Sequence, residues 1–392
     1  NVAYCRTYAY ALSSVYIART YQRASDDRRL PGYQQQIERY FLMSSPRGAV
    51  KLVACQENVP PLPPEDFTIY YDSEKQKPLI TWRSPLNTQR DIKKNYASYF
   101  EKCKNTWGSF LHGFDERSAL EVSPEEREEL FEKLWAEPGF ALWLANFHDI
   151  FSNREANDLV SDFVRKKIKE QIDDPVLAEK LCPTDHGFGL RRVPMESGYY
   201  KVYAQDNVTL VDLNETPIEK ITETGIKTRT ESYDFDLIIY ATGFDAVTGA
   251  FKHIDISGEG GQKLKDKWVD GPSTYLGLTS TGFPNLFTLV GPHNAATFCN
   301  IPRCIEQNVE WVTDCIKYLK DNKFTKISAK FSSEKSWTEH VYDSVADSLI
   351  LETDSWFVGA NIHGKKRPFL QYAGGNPLYR EKCDEEASGG YK

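Results

Sequence analysis

The stretch "NLFTLVGPHNAATFCNIPRCIEQNVEWVTDCIKYL", residues 285–319, decides the fold class. Residues 285–290 form a short apolar run, Gly291 and Pro292 break it, and Ile305, Val309, Val312, Ile316 and Leu319 then recur at alternating four- and three-residue steps. That sequence of periods reads as strand, turn and helix, the repeating unit of α/β architecture. The five aliphatic residues are expected on the core face of the helix. Pro302 suits its first turn, where no backbone N–H is needed. A strand that passes through a Gly-Pro loop into a helix N-terminus also offers a place for negative charge.

Working outward, "FDLIIYATGF" at 235–244 is a second apolar run, flanked by Asp236 and Gly243, and is expected to be a strand covered on both faces. "NVTLVDL" at 207–213 and "IEKITETGIKT" at 218–228 alternate like strands, the latter around a Thr224-Gly225 turn. Residues 89–182 are helical in pattern. "SPEEREELFEKLWAE" opens with Ser123 as N-cap, Pro124 at the first helical position and Glu126 closing a capping box, with Leu130, Phe131, Leu134 and Trp135 on one face. "SNREANDLVSDFVRKKIKEQI" repeats the device with Ser152 and Glu155, then Leu159, Phe163, Ile168 and Ile172. Residues 1–84 look irregular, and the cluster Pro60, Pro61, Pro63 and Pro64 reads as extended linker.

At 392 residues the chain has room for two or three domains. A net charge of −8 with dispersed Lys and Arg argues against a nucleic-acid surface. Apolar stretches such as "FALWLA" are far shorter than the ~18 residues of a membrane span. The eight cysteines contain no C-x-x-C, and the loose pair Cys299 and Cys304 lacks metal-ligand spacing, so reduced thiols in a cytoplasmic setting are expected. Residues 1–24 contain arginines and serines without acids, a faint transit-peptide character, and the start at Asn1 suggests a fragment.

Within "DHGFGLRRVPMESGYY", residues 185–200, Arg191 and Arg192 stand side by side after two glycines. Adjacent arginines most often reach for surface carboxylates. They repel each other unless an anion is near, and unlike lysine neither gives up its charge readily.

Six stretches in order carry a family resemblance: "RSALEVSPEEREELFEKLWAEPGFALWLANFHDI", "AEKLCPTDHGFGLRRVPMESGYY", "NVTLVDLNETPIEKITETGI", "DLIIYATGFDAVTGAF", "GPSTYLGLTSTGFPNLFTLVGPHNAATFCNIPRCIEQNVEW" and "TDSWFVGANIHGKK". From about Pro85 onward the chain resembles the C-terminal two-thirds of Baeyer–Villiger monooxygenases of the cyclohexanone monooxygenase type. The resemblance implies an incomplete pair of FAD- and NADP-binding Rossmann-like domains with a helical insertion. The implied boundaries are 1–84 without assigned role, 85–190 helical, 191–245 the rest of the NADP-binding domain, and 246–392 the C-terminal part of the FAD-binding domain. It implies an NADPH- and FAD-dependent enzyme that inserts one oxygen of O2 beside a ketone carbonyl, giving an ester or lactone.

In that family a Lys-Arg pair occupies the bend, so Arg191 is implied to meet the NADPH 2′-phosphate and Arg192 to stabilise the peroxide anion on the flavin, although Arg replaces Lys at the first position. Ala241, Thr242, Gly243 and Asp245 match the link between the two dinucleotide domains. Gly291, Pro292 and Asn300 match the loop facing the flavin ring, and Trp356 a tryptophan near the nicotinamide. Phe147, Phe298, Cys299 and Ile301 match substrate-pocket positions. No metal site is implied.

The family's G-x-G-x-x-G turns, which place a helix N-terminus on a pyrophosphate, are absent: "GFGLRR" and "GEGGQK" lack the last glycine. Its F-x-G-x-x-x-H fingerprint is absent too, since "FVGANIHGKKR" belongs to the C-terminal segment and ends in Arg367. Two alternatives stay open, a class B flavin monooxygenase oxidising nitrogen or sulfur, and a non-catalytic remnant without cofactor binding.

Overall fold

The computed structural model describes residues 86–295, 298–360, 362, 364 and 366–391, together with the backbone of five short strands in the first 79 residues. These strands are β1 (Val2–Arg6), β2 (Arg39–Tyr40), β3 (Ala54–Cys55), β4 (Tyr70–Asp72) and β5 (Lys77–Leu79). They correct the expectation of a wholly irregular N-terminal part. The proline cluster and the transit-like character lie outside the described residues.

Helices α1 (Leu86–Lys94), α2 (Tyr96–Lys104), α3 (Pro124–Ala136), α4 (Ala141–Leu144), α5 (Arg154–Lys169), α6 (Pro175–Leu181) and α7 (Tyr199–Val202) follow. Strands β6 (Val208–Asp212), β7 (Ile218–Ile221), β8 (Gly225–Thr228) and β9 (Ser232–Asp234) come next. The chain ends with α8 (Gly249–Lys252), α9 (Leu264–Lys267), α10 (Ile301–Asp321), α11 (Phe331–Asp343) and α12 (Asn376–Ser388).

Contacts divide the chain into two units. The first comprises residues 1–94, 162–185 and 192–243. In it β1 runs parallel to β6, Val2 opposite Val208 and Arg6 opposite Asp212. β7, β8 and β9 form an antiparallel sheet in sequence order, turning at Thr224-Gly225 as the alternation predicts. Gly225 is required there, because a Cβ would collide with the Tyr233 carbonyl across the ladder. Ile168 and Ile172 pack with Ala178 and Cys182 of the α6 region.

The second unit comprises residues 95–161, 186–191 and 244–392. Here α3 is built as its sequence dictates: Ser123 and Glu126 form the reciprocal capping box, Pro124 opens the helix, and Phe131 and Leu134 are buried. Trp135 is exposed. The expected capping box of α5 is one residue displaced. Ser152 Oγ bonds back to the Asp149 carbonyl in the preceding turn, and Asn153 Oδ1 accepts the Ala156 N–H at 3.2 Å instead. Deeper in this unit, buried Glu334 on α11 accepts from Lys267 Nζ, Ser273 Oγ, Ser280 Oγ and the Thr281 N–H. This satisfies a charge that would otherwise be costly to bury.

Three expectations fail for identifiable reasons. Residues 235–244 and 285–290 are not strands among the described elements. Strands exist by pairing, and the backbone of the second run is engaged elsewhere. The Asn285 N–H bonds the Ile327 carbonyl, Thr288 N–H the Leu278 carbonyl, and Val290 N–H the Asn308 side chain. Next, α10 buries Cys304, Gln307, Asn308, Trp311 and Cys315, while Ile305, Val309 and Ile316 are exposed. Its period was right and its inward face was not. Finally, Cys299 and Cys304 are joined in a disulfide, whereas Cys103, Cys315 and Cys383 are free and buried, as expected of thiols, and buried Cys182 directs its Sγ to the Arg165 carbonyl.

Candidate functional site

The bend that carries the arginine pair is templated by α5. Asn157 Nδ2 donates to the Ile150 carbonyl at 2.7 Å and to the Phe188 carbonyl at 2.9 Å. One helical turn on, Ser161 Oγ donates to the Asn157 carbonyl and accepts the Phe188 N–H at 2.8 Å. Two side chains four residues apart on one helix face thus satisfy the peptide groups of the bend.

Both glycines are required. A methyl on Gly187 would overlap Asn157 Oδ1, and Gly189 has φ of 78° with its missing Cβ position 2.8 Å from the Trp143 ring. The chain therefore runs flush against α5 and the aromatic floor before reaching Arg191.

Arg191 and Arg192 are both buried, at 7 % and 8 % exposure. Arg191 falls in the second unit and Arg192 in the first. Burial lowers the Arg192 guanidinium to about 10, well below the usual arginine value but far enough above neutrality to keep it cationic. Such a side chain is a fixed positive charge in a low-dielectric setting.

The loop at Gly291 and Pro292 rests on a buried polar network of the second unit. Thr288 Oγ1 donates to the Gly277 carbonyl and Thr274 Oγ1 to the Pro292 carbonyl. Asn308 Oδ1 accepts from Val290 N–H at 3.0 Å and from Asn294 Nδ2 at 3.1 Å, and Asn294 Nδ2 also bonds the Tyr379 hydroxyl, which donates to the Leu276 carbonyl. Desolvation keeps the Tyr379 phenol protonated. A Cβ on Gly291 would meet Thr288 Oγ1 and the Gly277 carbonyl, so backbone packs on backbone here. Asn300 is the N-cap of α10, and its N–H bonds the Gly108 carbonyl at 2.7 Å.

Phe298 lies in an aromatic cluster, with ring centres 5.1 Å from Trp107, 5.0 Å from Phe357 and 6.4 Å from Trp143. Half-buried Trp356 extends it through Phe357 at 4.7 Å. Phe147 is packed elsewhere, between the Phe131 ring and Arg117. Cys299 is held in the disulfide and Ile301 is exposed. Ala241 is buried, Thr242 and Gly243 are exposed, and Asp245 pairs with Lys252 Nζ at 3.0 Å.

Trp107, Asn157, Ser161, Asn308 and Tyr379 escaped the sequence reading. A signal existed for Asn157 and Ser161: they stand one turn apart, each next in sequence to a buried apolar residue, Ala156 and Val160, and polar residues that border an apolar phase mark peptide groups that need partners.

No protein-family model matches the chain. It is 45 % identical over 313 residues to 2-oxo-Δ3-4,5,5-trimethylcyclopentenylacetyl-CoA monooxygenase of Pseudomonas putida, covering 79 % of this chain and 57 % of the relative. It is 37 % identical over 308 residues to a Baeyer–Villiger monooxygenase of Pseudooceanicola batsensis, covering 78 % of this chain and 55 % of that protein. Over more than three quarters of its length the chain is similar to Baeyer–Villiger monooxygenases. A crystal structure of OTEMO in complex with FAD and NADP superposes with a TM-score of 0.75 at 45 % identity, over 81 % of this chain and 58 % of that one. The α/β fold class follows from that likeness.

The chain spans little more than half the length of these relatives. No helix among the described residues is long and apolar enough to cross a membrane, and no cluster of metal-ligating side chains occurs among them.

Proposed function

We propose that this chain forms the substrate-side and charge-bearing part of a Baeyer–Villiger monooxygenase that uses FAD, NADPH and O2 to convert a ketone to an ester or lactone. The observation that carries the proposal is Arg192, a buried guanidinium kept cationic to about pH 10, following a bend that α5 holds by its side chains.

The fit to the dinucleotides is partial. The Gly291-Pro292 loop and the opening of α10 have the close backbone packing and helix N-terminus that suit the ring end of a flavin. The sequence contains no G-x-G-x-x-G turn to cradle a pyrophosphate, so these residues alone do not hold the whole cofactor. The redox chemistry belongs to the dinucleotides, and no step of it is assigned to this chain.

The chain's own residues supply charge, position and dryness. Arg192 offers its N–H groups and permanent charge to an anionic oxygen, the kind of preorganised stabilisation that contributes most in a desolvated site. Arg191 offers a guanidinium to the phosphate of NADPH. Ala241, Thr242, Gly243 and Asp245 form the link between dinucleotide domains, with Gly243 at φ of 83°. Phe298 and Trp356, with the aromatic cluster around them, exclude water from an apolar ketone. Residues 85–190 act as the helical domain, 191–245 and 246–392 as the remaining NADP- and FAD-binding parts, in a cytoplasmic enzyme.

The test is a fusion of residues 85–392 to the portion of the Pseudomonas putida relative that this chain does not match, supplied with NADPH, a cyclic ketone and 18O2. A lactone carrying one labelled oxygen is expected. NADPH consumption without labelled lactone, from any of a panel of cyclic and linear ketones, would overturn the proposal.

A further inference from the structure

The cysteines of the second unit fall into two chemical classes. Cys103, Cys315 and Cys383 are free and buried, and burial raises all three thiols, Cys315 to about 11 and Cys383 to about 12. A thiol that rarely ionises is a poor nucleophile. Cys299 and Cys304 are bonded to each other and sit where a thiolate is favoured. Cys304 lies in the first turn of the 21-residue α10, and Cys299 immediately precedes its N-cap, Asn300. The positive end of the helix dipole stabilises a thiolate at this place, and a sulfur that leaves readily as thiolate makes its disulfide easier to reduce.

The surroundings suit both oxidation states. Cys299 Sγ lies 3.4 Å from the Asn300 carbonyl oxygen, and Cys304 Sγ lies 3.8 Å from Asn376 Oδ1. A disulfide has no proton to donate, so these two acceptors are matched only when the pair carries thiols. The cover over the pair is also thin. Both cysteines are buried, yet the apolar side chain packed on them is half-buried Val290. Val290 is a β-branched residue held at φ of 55°, a conformation that such residues rarely adopt. Segments of this kind open locally at less cost than the core. The bond itself spans a sequence separation of only 5, so it adds less loop-closure stabilisation than a long-range bond would.

We propose that Cys299–Cys304 is a reversible thiol–disulfide exchange site, opened by a low-molecular-weight thiol and closed by the corresponding disulfide. The attacking thiolate bonds to one sulfur of the pair, the S–S bond breaks, and the other cysteine leaves as a thiolate that takes up a proton. A second small thiolate then attacks the mixed disulfide at the small-molecule sulfur, and the released cysteine takes up a proton in turn. Two small thiols thus lose two electrons and two protons and become one disulfide, while the pair gains both. Reduction unties the residue next to Phe298 from the first turn of α10 and leaves the Asn300 N–H on the Gly108 carbonyl.

The test equilibrates the full, folded 392-residue chain under argon with reduced and oxidised glutathione at graded ratios. Thiols are then blocked with N-ethylmaleimide during unfolding in urea, and peptide mass spectrometry reads each cysteine. Cys299 and Cys304 should pass together from bonded to blocked within the series, reaching the same ratio from the oxidised and the reduced side, while Cys103, Cys315 and Cys383 are blocked throughout. In Cys299→Ser, oxidised glutathione should load Cys304 about tenfold or more above Cys315. A bond that stays closed at every ratio until urea unfolds the chain overturns the proposal, because it is then a structural staple. So does a pair that oxidised glutathione never closes, or glutathione shared equally between Cys304 and Cys315 in the variant. No flavin or ketone enters the measurement, so its outcome is independent of the proposed oxygenase function.

Discussion

Asn157 and Gly187 should behave as one unit. Replacing Asn157 by Ala removes the two hydrogen bonds that its Nδ2 donates, each contributing about 1 kcal/mol net, and leaves the Ile150 and Phe188 carbonyls to find other partners at a cost of about 1–3 kcal/mol more, while Ser161 Oγ keeps its bond to the residue-157 carbonyl. A total near 3 kcal/mol follows. Gly187→Ala acts through the same bonds, since its methyl would overlap Asn157 Oδ1 and force the amide off both carbonyls. Its expected cost is also about 3 kcal/mol. In the double variant the clash has no target, so most of the second loss disappears and a coupling of about 2 kcal/mol should appear. At roughly 2–4 °C per kcal/mol for a unit of this size, each single variant melts about 6–12 °C lower and the double variant barely lower still. Near-ultraviolet circular dichroism reads the transition through Trp143, whose ring lies against Gly189. Strict additivity of the two losses, or a single-variant shift below about 2 °C, would refute the templating of the bend by α5.

Two further outcomes follow from the loop beside α10. His293 is fully buried and desolvation lowers it to about 4, so it is neutral in the fold. The unfolded chain takes up that proton first as pH falls through the ordinary histidine range near 6.5, so stability present above 6.5 is lost towards pH 4, by up to about 3 kcal/mol. Urea unfolding across that window should show the decline, and His293→Asn, which tolerates the residue's φ of 65°, should flatten it; an unchanged slope would contradict the assignment. The Cys299–Cys304 disulfide closes a very short loop, with a sequence separation of 5. The loop-entropy relation gives it about 2 kcal/mol, so reductant should lower the unfolding midpoint of the chain and leave that of the Cys299→Ser, Cys304→Ser variant unmoved.

What was legible in the sequence was local. The capping box at Ser123 needs four residues and nothing else, and it formed as written. At α5 the same signal competed with a preceding turn, where the Ser152 hydroxyl was already engaged with Asp149, and the cap passed to Asn153. The antiparallel hairpin at Thr224-Gly225 formed because its partner strand is its immediate neighbour. The runs 235–244 and 285–290 needed distant partners to become strands, and periodicity does not report whether these are present. In α10 the aliphatic residues outnumber one face, and the buried side was taken by Cys304, Gln307, Asn308, Trp311 and Cys315, residues a hydrophobic template passes over. Arg191 and Arg192 are indistinguishable from surface arginines by composition. Family resemblance singled them out, and their burial adds an independent physical reason to treat them as functional.

The most direct measurement separates flavin reduction from ketone oxygenation in Arg192→Ala, using the fusion that restores a glycine-rich cofactor cradle. Removing a single preorganised cation should cut lactone formation by about 10²-fold or more, while the rate at which NADPH bleaches the flavin stays within about threefold. Arg192→Lys should fall between the two, because a point charge replaces a planar fork. Lactone formation that survives Arg192→Ala, or a loss shared equally by flavin reduction, would contradict the role given to this buried guanidinium.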